Sequence, residues 1–294
     1  MLSRRLTLGT LLAAALIGLC WLDAWGTEQG KFFPGACLLP LAAAVAVLSG
    51  REVLHLAEAA GMRPLPGLVH GGNLLLVTIS WAPLVLGNSR PAPTTLAAWS
   101  LFALAACVAI TFLCEAARYR RPGGTLGNLA ATVFAHTYVG LMLSLVVQLR
   151  LAFGMGALLS MLLAVKMGDI GAYTVGRLVG RHKLAPLLSP GKTIEGAVGA
   201  LLFSCLAAWG TMTWISAHAA PGAIFPPRWG WLAFGILMGA LGMMGDLAES
   251  LLKRDAGVKD SGVLLPGFGG VLDMVDSVLL AAPAAWLCWR AGWM

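Results

Sequence analysis

Residues 95 to 114 read Thr-Leu-Ala-Ala-Trp-Ser-Leu-Phe-Ala-Leu-Ala-Ala-Cys-Val-Ala-Ile-Thr-Phe-Leu-Cys, a run with no charged side chain. A helix rises about 1.5 Å per residue, so a run of this length crosses roughly 30 Å, the thickness of a bilayer hydrocarbon core. Working outward, comparable runs lie at 6–25, 33–50, 68–87, 127–149, 151–170, 195–217, 231–251 and 269–289. The expectation is an all-α protein, a polytopic integral membrane helical bundle of about nine transmembrane helices. Composition agrees: 59% of residues are apolar, 11% are charged, and mean hydropathy is +0.82. Soluble domains carry about 25% charge.

Lys and Arg in short loops stay on the cytoplasmic side. With the N-terminus placed in the cytoplasm, most cations, among them Arg4, Arg5, Arg51, Arg63, Arg118, Arg120, Arg177, Lys192, Lys253 and Lys259, fall in inside segments. Lys31, Arg90, Arg150, Arg228 and Arg290 fall outside, and Lys166 lies within a helix. The net charge of +7 therefore reads as topology and attraction to anionic lipid headgroups, with no nucleic-acid module in view. The six cysteines sit singly in apolar stretches without a CxxC pair, the pattern of small core hydrophobes. Arg4-Arg5 before an apolar run imitates a secretory leader ending at Cys20. Leu19 is too bulky for that cleavage pattern, so a retained first helix is expected.

The polar residues divide the chain. Residues 1–165 form a scaffold of apolar helices, suited to lipid access and leaving room for homodimer contacts. Residues 166–294 carry nearly all groups capable of chemistry. In the first region Glu52, His55 and Glu58 share i, i+3 spacing, formally a metal-binding face, but their place beyond the second run favours a solvated amphipathic turn. His70 and His136 read as a turn residue and a hydrogen-bonded core histidine.

Two polar blocks stand out. In the first, Lys166 and Asp169 are three apart and near enough to neutralise one another, and a charge at such depth marks a site or an internal pair. Gly168, Gly171, Gly176 and Gly180 permit close approach of a helix or a phosphate. Ser189-Pro-Gly-Lys192-Thr193, followed by Glu195 and a helical run, combines a hydroxyl, a cation and helix-start N–H groups, which suits anionic oxygens. Pro186 stands where a Walker A loop needs Gly, so this is not a P-loop NTPase.

In the second block, residues 246–277, six carboxylates and three cations crowd into a mostly hydrocarbon chain. Asp246, Glu249 and Ser250 have helical spacing, followed by Lys253, Arg254, Lys259 and Asp260, then Gly269 and Gly270, then Asp273 and Asp276 three apart. Carboxylates of this kind suit Mg²⁺, which binds through one or two of them plus waters and phosphates, and flanking cations would hold the remaining phosphate charge. The alternative is a set of internal ion pairs in a transporter, with Asp246 or Asp273 paired to Lys253 or Lys166.

The stretch Ser250, Lys253-Arg254, Lys259-Asp260, Gly269-Gly270, Asp273 and Asp276 resembles in register the signature of the phosphatidate cytidylyltransferases, or CDP-diacylglycerol synthases. Asp169 to Tyr173 and Ser189 to Gly196 resemble two further segments of that family. Phe268 and Met274 depart from it, standing where the family has His and Arg. The resemblance implies transfer of a cytidylyl group from CTP to phosphatidic acid, giving CDP-diacylglycerol and pyrophosphate. It also implies a two-cation centre, Mg²⁺ with a second cation, on Asp246 and Asp273 with Asp276 as a further ligand or neighbour. Lys192, Lys253, Arg254 and Lys259 would then bind phosphates, and Asp169 would orient Lys166 or a nucleotide hydroxyl. The expected partners are CTP, phosphatidic acid or a related lipid phosphate, and membrane lipids. The expected place is a bacterial cytoplasmic membrane, with the site facing the cytoplasm. Another lipid phosphate as substrate, or a non-catalytic or transport protein of the same fold, are the alternatives.

Overall fold

Because backbone N–H and C=O groups find no water in hydrocarbon, apolar runs of this length fold as helices that satisfy their own hydrogen bonds. The computed structural model describes every residue except 1, 89–90, 121, 219–228, 259–260, 263–268 and 294. The helices are α1 (Leu2–Glu28), α2 (Leu39–Ala59), α3 (Pro66–Val85, closing in a 3₁₀ turn and a short α-helical turn), α4 (Pro93–Arg118), α5 (Thr125–Phe153), α6 (Met155–Val179), α7 (Ile194–His218), α8 (Gly230–Asp255) and α9 (Leu272–Arg290). Among the described residues, nine helices are long and apolar enough to cross a membrane, and the chain is an integral membrane protein. Among the described residues two short strands pair as an antiparallel hairpin, β1 (Lys183–Ala185) and β2 (Ser189–Thr193).

Several boundaries differ from expectation, among them the end of α6, which runs to Val179 rather than 170, and those of the second and fifth helices, which have local reasons. The second helix begins at Leu39 rather than near 33, because Pro34-Gly35 turn the chain, with Gly35 at φ +78°, and Pro40 sits in the first helical turn, where no N–H partner is needed. It runs on to Ala59 and takes in Glu52, His55 and Glu58. The fifth helix continues past Gln148 through a second π-helical turn to Phe153, the first being His136–Leu141, and ends at Gly154, φ +92°.

The chain forms two compact units, each discontinuous in sequence. Residues 1–155 and 255–274 make one, and 156–254 and 275–294 make the other. In the first, α2 packs on α3 and α3 on the π-helical turn of α5. Buried His136 Nδ1 lies 3.2 Å from Asn73 Oδ1. Arg150 Nε donates to Asp23 Oδ2 at 2.7 Å, and Asp23 also accepts the N–H groups of Gly35 and Cys37, both at 3.1 Å. In the second unit small residues make the contacts. A side chain at Gly168 would strike Ser204, one at Gly171 would strike the carbonyl of Gly199, and one at Gly235 would strike the backbone of Cys205. Helix packing is thus what the glycines of α6 serve.

Candidate active site

In the second unit the polar side chains converge on Ser277 and Asp246. Gly245 allows this, since a Cβ there would sit 2.6 Å from the carbonyl of Asp276 and 2.7 Å from Ser277 Cα. The backbones of α8 and α9 therefore approach closely just where each carries acid. The Ser277 hydroxyl donates to Asp246 Oδ1 and lies 3.1 Å from Asp276 Oδ1, which also accepts the Ser277 N–H. A hydroxyl has a single proton, so the two carboxylates share one donor. Asp276 is buried, whereas the side chain of Asp246 is 35% exposed.

Lys192 supplies the cation at this pair. Its Nζ lies 3.2 Å from Asp246 Oδ2 and donates to the carbonyl of Met243 at 3.3 Å. The Ser-Pro-Gly-Lys-Thr string is strand β2 and leads directly into the start of α7, as expected, and the hairpin carries the lysine. Thr193 Oγ1 accepts the N–H of Gly196 at 3.1 Å and so caps the first turn of α7. Glu195 accepts the backbone N–H groups of Arg181 and His182 at 3.1 and 3.2 Å and pairs with His182 Nδ1 at 2.7 Å. Both side chains thereby shape the hairpin base. Arg254, exposed, donates to the carbonyl of Leu188 at 3.5 Å on the hairpin turn.

Two further ion pairs of this unit lie along single helices. Lys166 Nζ donates to Asp169 Oδ2 at 3.0 Å, and Lys253 Nζ to Glu249 Oε2 at 2.9 Å. Asp246 takes Lys192 as its ion-pair partner. Ser250 is half-buried one residue beyond Glu249. An apolar cleft of about 440 Å³ opens between α6 and α7, lined by Leu159, Leu163, Met167, Trp214 and Ile215.

Asp273 belongs to the first unit. Its Oδ2 accepts the Gly270 N–H at 2.7 Å and the Ser261 hydroxyl at 2.9 Å, and Gly269, φ +86°, turns the chain beside it. Glu52 meets the same turn and is buried, whereas His55 and Glu58 are exposed. The solvated turn expected for these three residues is therefore corrected. Successive i, i+3 steps drift by about 60° around a helix, so Glu52 and Glu58 stand about 120° apart, and Glu52 lies with Ser49, Val53 and Leu56 on the buried stripe. Lys259, Asp260 and Phe268 lie outside the described residues.

Among the described residues no group of three or more His, Cys, Asp or Glu side chains is arranged as a metal cage. Mg²⁺ needs no such cage, since one or two carboxylates suffice when waters and phosphates complete the shell. Asp246 and Asp276, hard oxygen donors sharing one hydroxyl, are a donor set of that kind. One member of these arrangements, Ser277, escaped the sequence reading, and another, Glu52, was read as solvated. Ser277 follows Asp276 directly, and nothing in its spacing marks it. Glu52 could have been found from its place three residues after Ser49 and four before Leu56, on the stripe that packs inward.

The Cytidylyltransferase family matches residues 26–291. The chain is also 38% identical over 167 residues to a protein of Mycobacterium bovis named phosphatidate cytidylyltransferase, an alignment covering 56% of this chain and 52% of that one. Similar proteins of the same name occur in Staphylococcus saprophyticus, 38% identical over 53% of this chain and 57% of that one, and in Staphylococcus epidermidis, 42% identical over 44% and 47%. The chain thus spans about half the length of the curated relatives it matches.

Proposed function

The chain belongs to the cytidylyltransferase family, and from that premise we propose that it transfers a cytidylyl group from CTP to phosphatidic acid, giving CDP-diacylglycerol and pyrophosphate. The observation that carries this reading is the arrangement around Ser277: two carboxylates on one hydroxyl, with Lys192 at the more exposed of them. Relatives named for this reaction support the choice of substrates.

A lipid phosphate monoester has its second ionisation near pH 6, so at neutral pH it is already a nucleophile and needs no general base. An oxygen of that phosphate attacks the α-phosphorus of CTP. One P–O bond forms as the bond to the leaving pyrophosphate breaks, and no other atoms are exchanged. The difficulty is an anion approaching an anion, so the protein contributes positioning and charge cancellation. Lys192 would hold a phosphate oxygen, steadied by the Met243 carbonyl. Lys253 and Arg254 would serve the triphosphate, with Glu249 fixing the rotamer of Lys253. Asp169 would keep Lys166 in place. Lys259, Asp260, Ser189 and Ser250 keep the substrate-binding roles that the family pattern gives them. Mg²⁺ held by Asp246 and Asp276 would supply charge neutralisation at the triphosphate, and Asp273 keeps in this proposal the cation-ligand role the pattern gives it. Acyl chains would lie along the apolar cleft of α6 and α7, and the site would face the cytoplasm of a bacterial inner membrane.

The test is incorporation of label from α-phosphate-labelled CTP into chloroform-soluble lipid by purified protein in detergent, with phosphatidic acid and Mg²⁺. Label is expected with the native chain and lost in Asp246→Asn and Asp276→Asn and on chelation. Absence of label from folded native protein with phosphatidic acid overturns the reading.

A further inference from the structure

The first turn of α9 has its cap supplied from far away in sequence. The opening N–H groups of a helix have no partner within it, and Val271, preceding Leu272, has no side-chain acceptor to offer. Glu52 of α2 fills that role: its Oε1 accepts the Val271 N–H at 2.8 Å and its Oε2 the Leu272 N–H at 2.7 Å. A carboxylate is the favoured group at a helix N-terminus, and this one is 6% exposed. The Ser261 hydroxyl lies 3.3 Å from Glu52 Oε2 and 2.9 Å from Asp273 Oδ2, bridging the two acids. Glycines make room for the reach: a Cβ at Gly262 would fall 2.6 Å from Glu52 Oε1, and one at Gly270 would strike both Glu52 Oε2 and Ser261 Oγ.

We propose that Glu52 is a positioning residue for cytidylyl transfer, holding the helix turn that carries Asp273. The proposal rests on the reading given under Proposed function. Glu52 acts in two ways. It fixes the backbone from Val271 onward, and through Ser261 it sets the direction of the Asp273 carboxylate. It also occupies a helix N-terminus that would otherwise attract phosphate, so the triphosphate is left to the lysines. Gln at this position keeps the shape but turns an NH₂ toward one of the two N–H groups, so one hydrogen bond becomes a donor facing a donor.

The experiment uses the full chain in detergent with Glu52→Gln and Glu52→Asp. Deuterium exchange of the amides in 269–275 is read by mass spectrometry, with the peptide 93–118 as reference. Exchange in 269–275 is expected to rise about tenfold or more in Glu52→Gln, with 93–118 unchanged. In the labelled-CTP assay, kcat is expected to fall about 10- to 100-fold, the range found for groups that orient metal ligands. The Mg²⁺ concentration for half activation should rise, while KM for phosphatidic acid stays within about twofold. Glu52→Asp, which keeps the charge with a shorter reach, is expected to recover part of kcat, and it replaces Glu52→Gln in every readout if that variant does not fold. Unchanged exchange in 269–275 overturns the proposal. So does faster exchange with native kcat and native Mg²⁺ requirement, which would make Glu52 a structural cap only. A native chain that incorporates no label overturns the transfer reading instead, and the exchange measurement alone then decides whether Glu52 holds this turn.

Discussion

Lys192 Nζ stands 3.2 Å from Asp246 Oδ2, joining a strand of the hairpin to the acidic stretch of α8. The contact is half-exposed on both sides, with side chains 23% and 35% accessible, so as an ion pair it adds little to stability. Its value lies in what can replace one partner: a phosphate oxygen can take the lysine, and a cation can take the carboxylate.

Lys192→Met is therefore expected to leave the yield of folded protein unchanged and to lower kcat by about 10²- to 10³-fold, the usual cost of losing one donor to developing phosphate charge. Steady-state kinetics of lipid labelling, with size exclusion as the folding control, check this. Native kcat in the variant would remove Lys192 from the site.

Ser277→Ala takes away the one hydroxyl shared by Asp246 and Asp276. Two carboxylates then face each other with one donor fewer, and each loses a constraint on its rotamer. Activity is expected to drop about tenfold, with a higher Mg²⁺ requirement, the signature of a lost orienting contact. A Mg²⁺ titration of the labelling rate is the measurement.

Gly245→Ala puts a methyl group against the backbone of Asp276 and Ser277. Neither chain can move aside cheaply, and overpacking of this kind costs about 1–3 kcal/mol. Gly210→Ala on α7 meets no atom within 4 Å and is expected to stabilise by about 0.5–1 kcal/mol through helix propensity. Thermal unfolding of the two variants in one detergent should move in opposite directions.

Asp23 is fully buried and Arg150 nearly so, at 0% and 7% exposed. Removing one partner strands a buried charge, so Arg150→Met is expected to destabilise by about 3–5 kcal/mol. Asp23→Leu combined with Arg150→Met removes both charges and should recover part of that loss, since the N–H groups of Gly35 and Cys37 still lose their acceptor. The check is the unfolding temperature of the single and double variants.

The nine spans were legible because hydrocarbon length and charge exclusion leave one solution for each run. The pairing of Lys166 with Asp169 was legible for a related reason, since three residues make one turn and both ends are fixed by the helix. The partner of Asp246 was not, because the lysine that reaches it comes from a hairpin 51 residues away from the carbonyl it also binds, and a two-stranded hairpin leaves almost no periodic signal in eleven residues. Glu52 was misplaced by a helix boundary: the second helix continues to Ala59 instead of ending near 50, which carries an expected loop residue onto a packed face. Its partners, at Val271 and Leu272, are backbone N–H groups, and these carry no side-chain signature at all.

The bond between Arg150 and Asp23 closes over 127 residues, and that distance sets an order of events during synthesis. At about 5–20 residues per second, Asp23 emerges several seconds before the guanidinium that neutralises it. Until the fifth helix arrives, the first helix carries an unpaired acid near its end and has a reason to linger at the interface rather than settle into lipid. Arrival of Arg150 supplies the missing charge, and with it the first and fifth helices are joined before most of residues 156–294 have been translated.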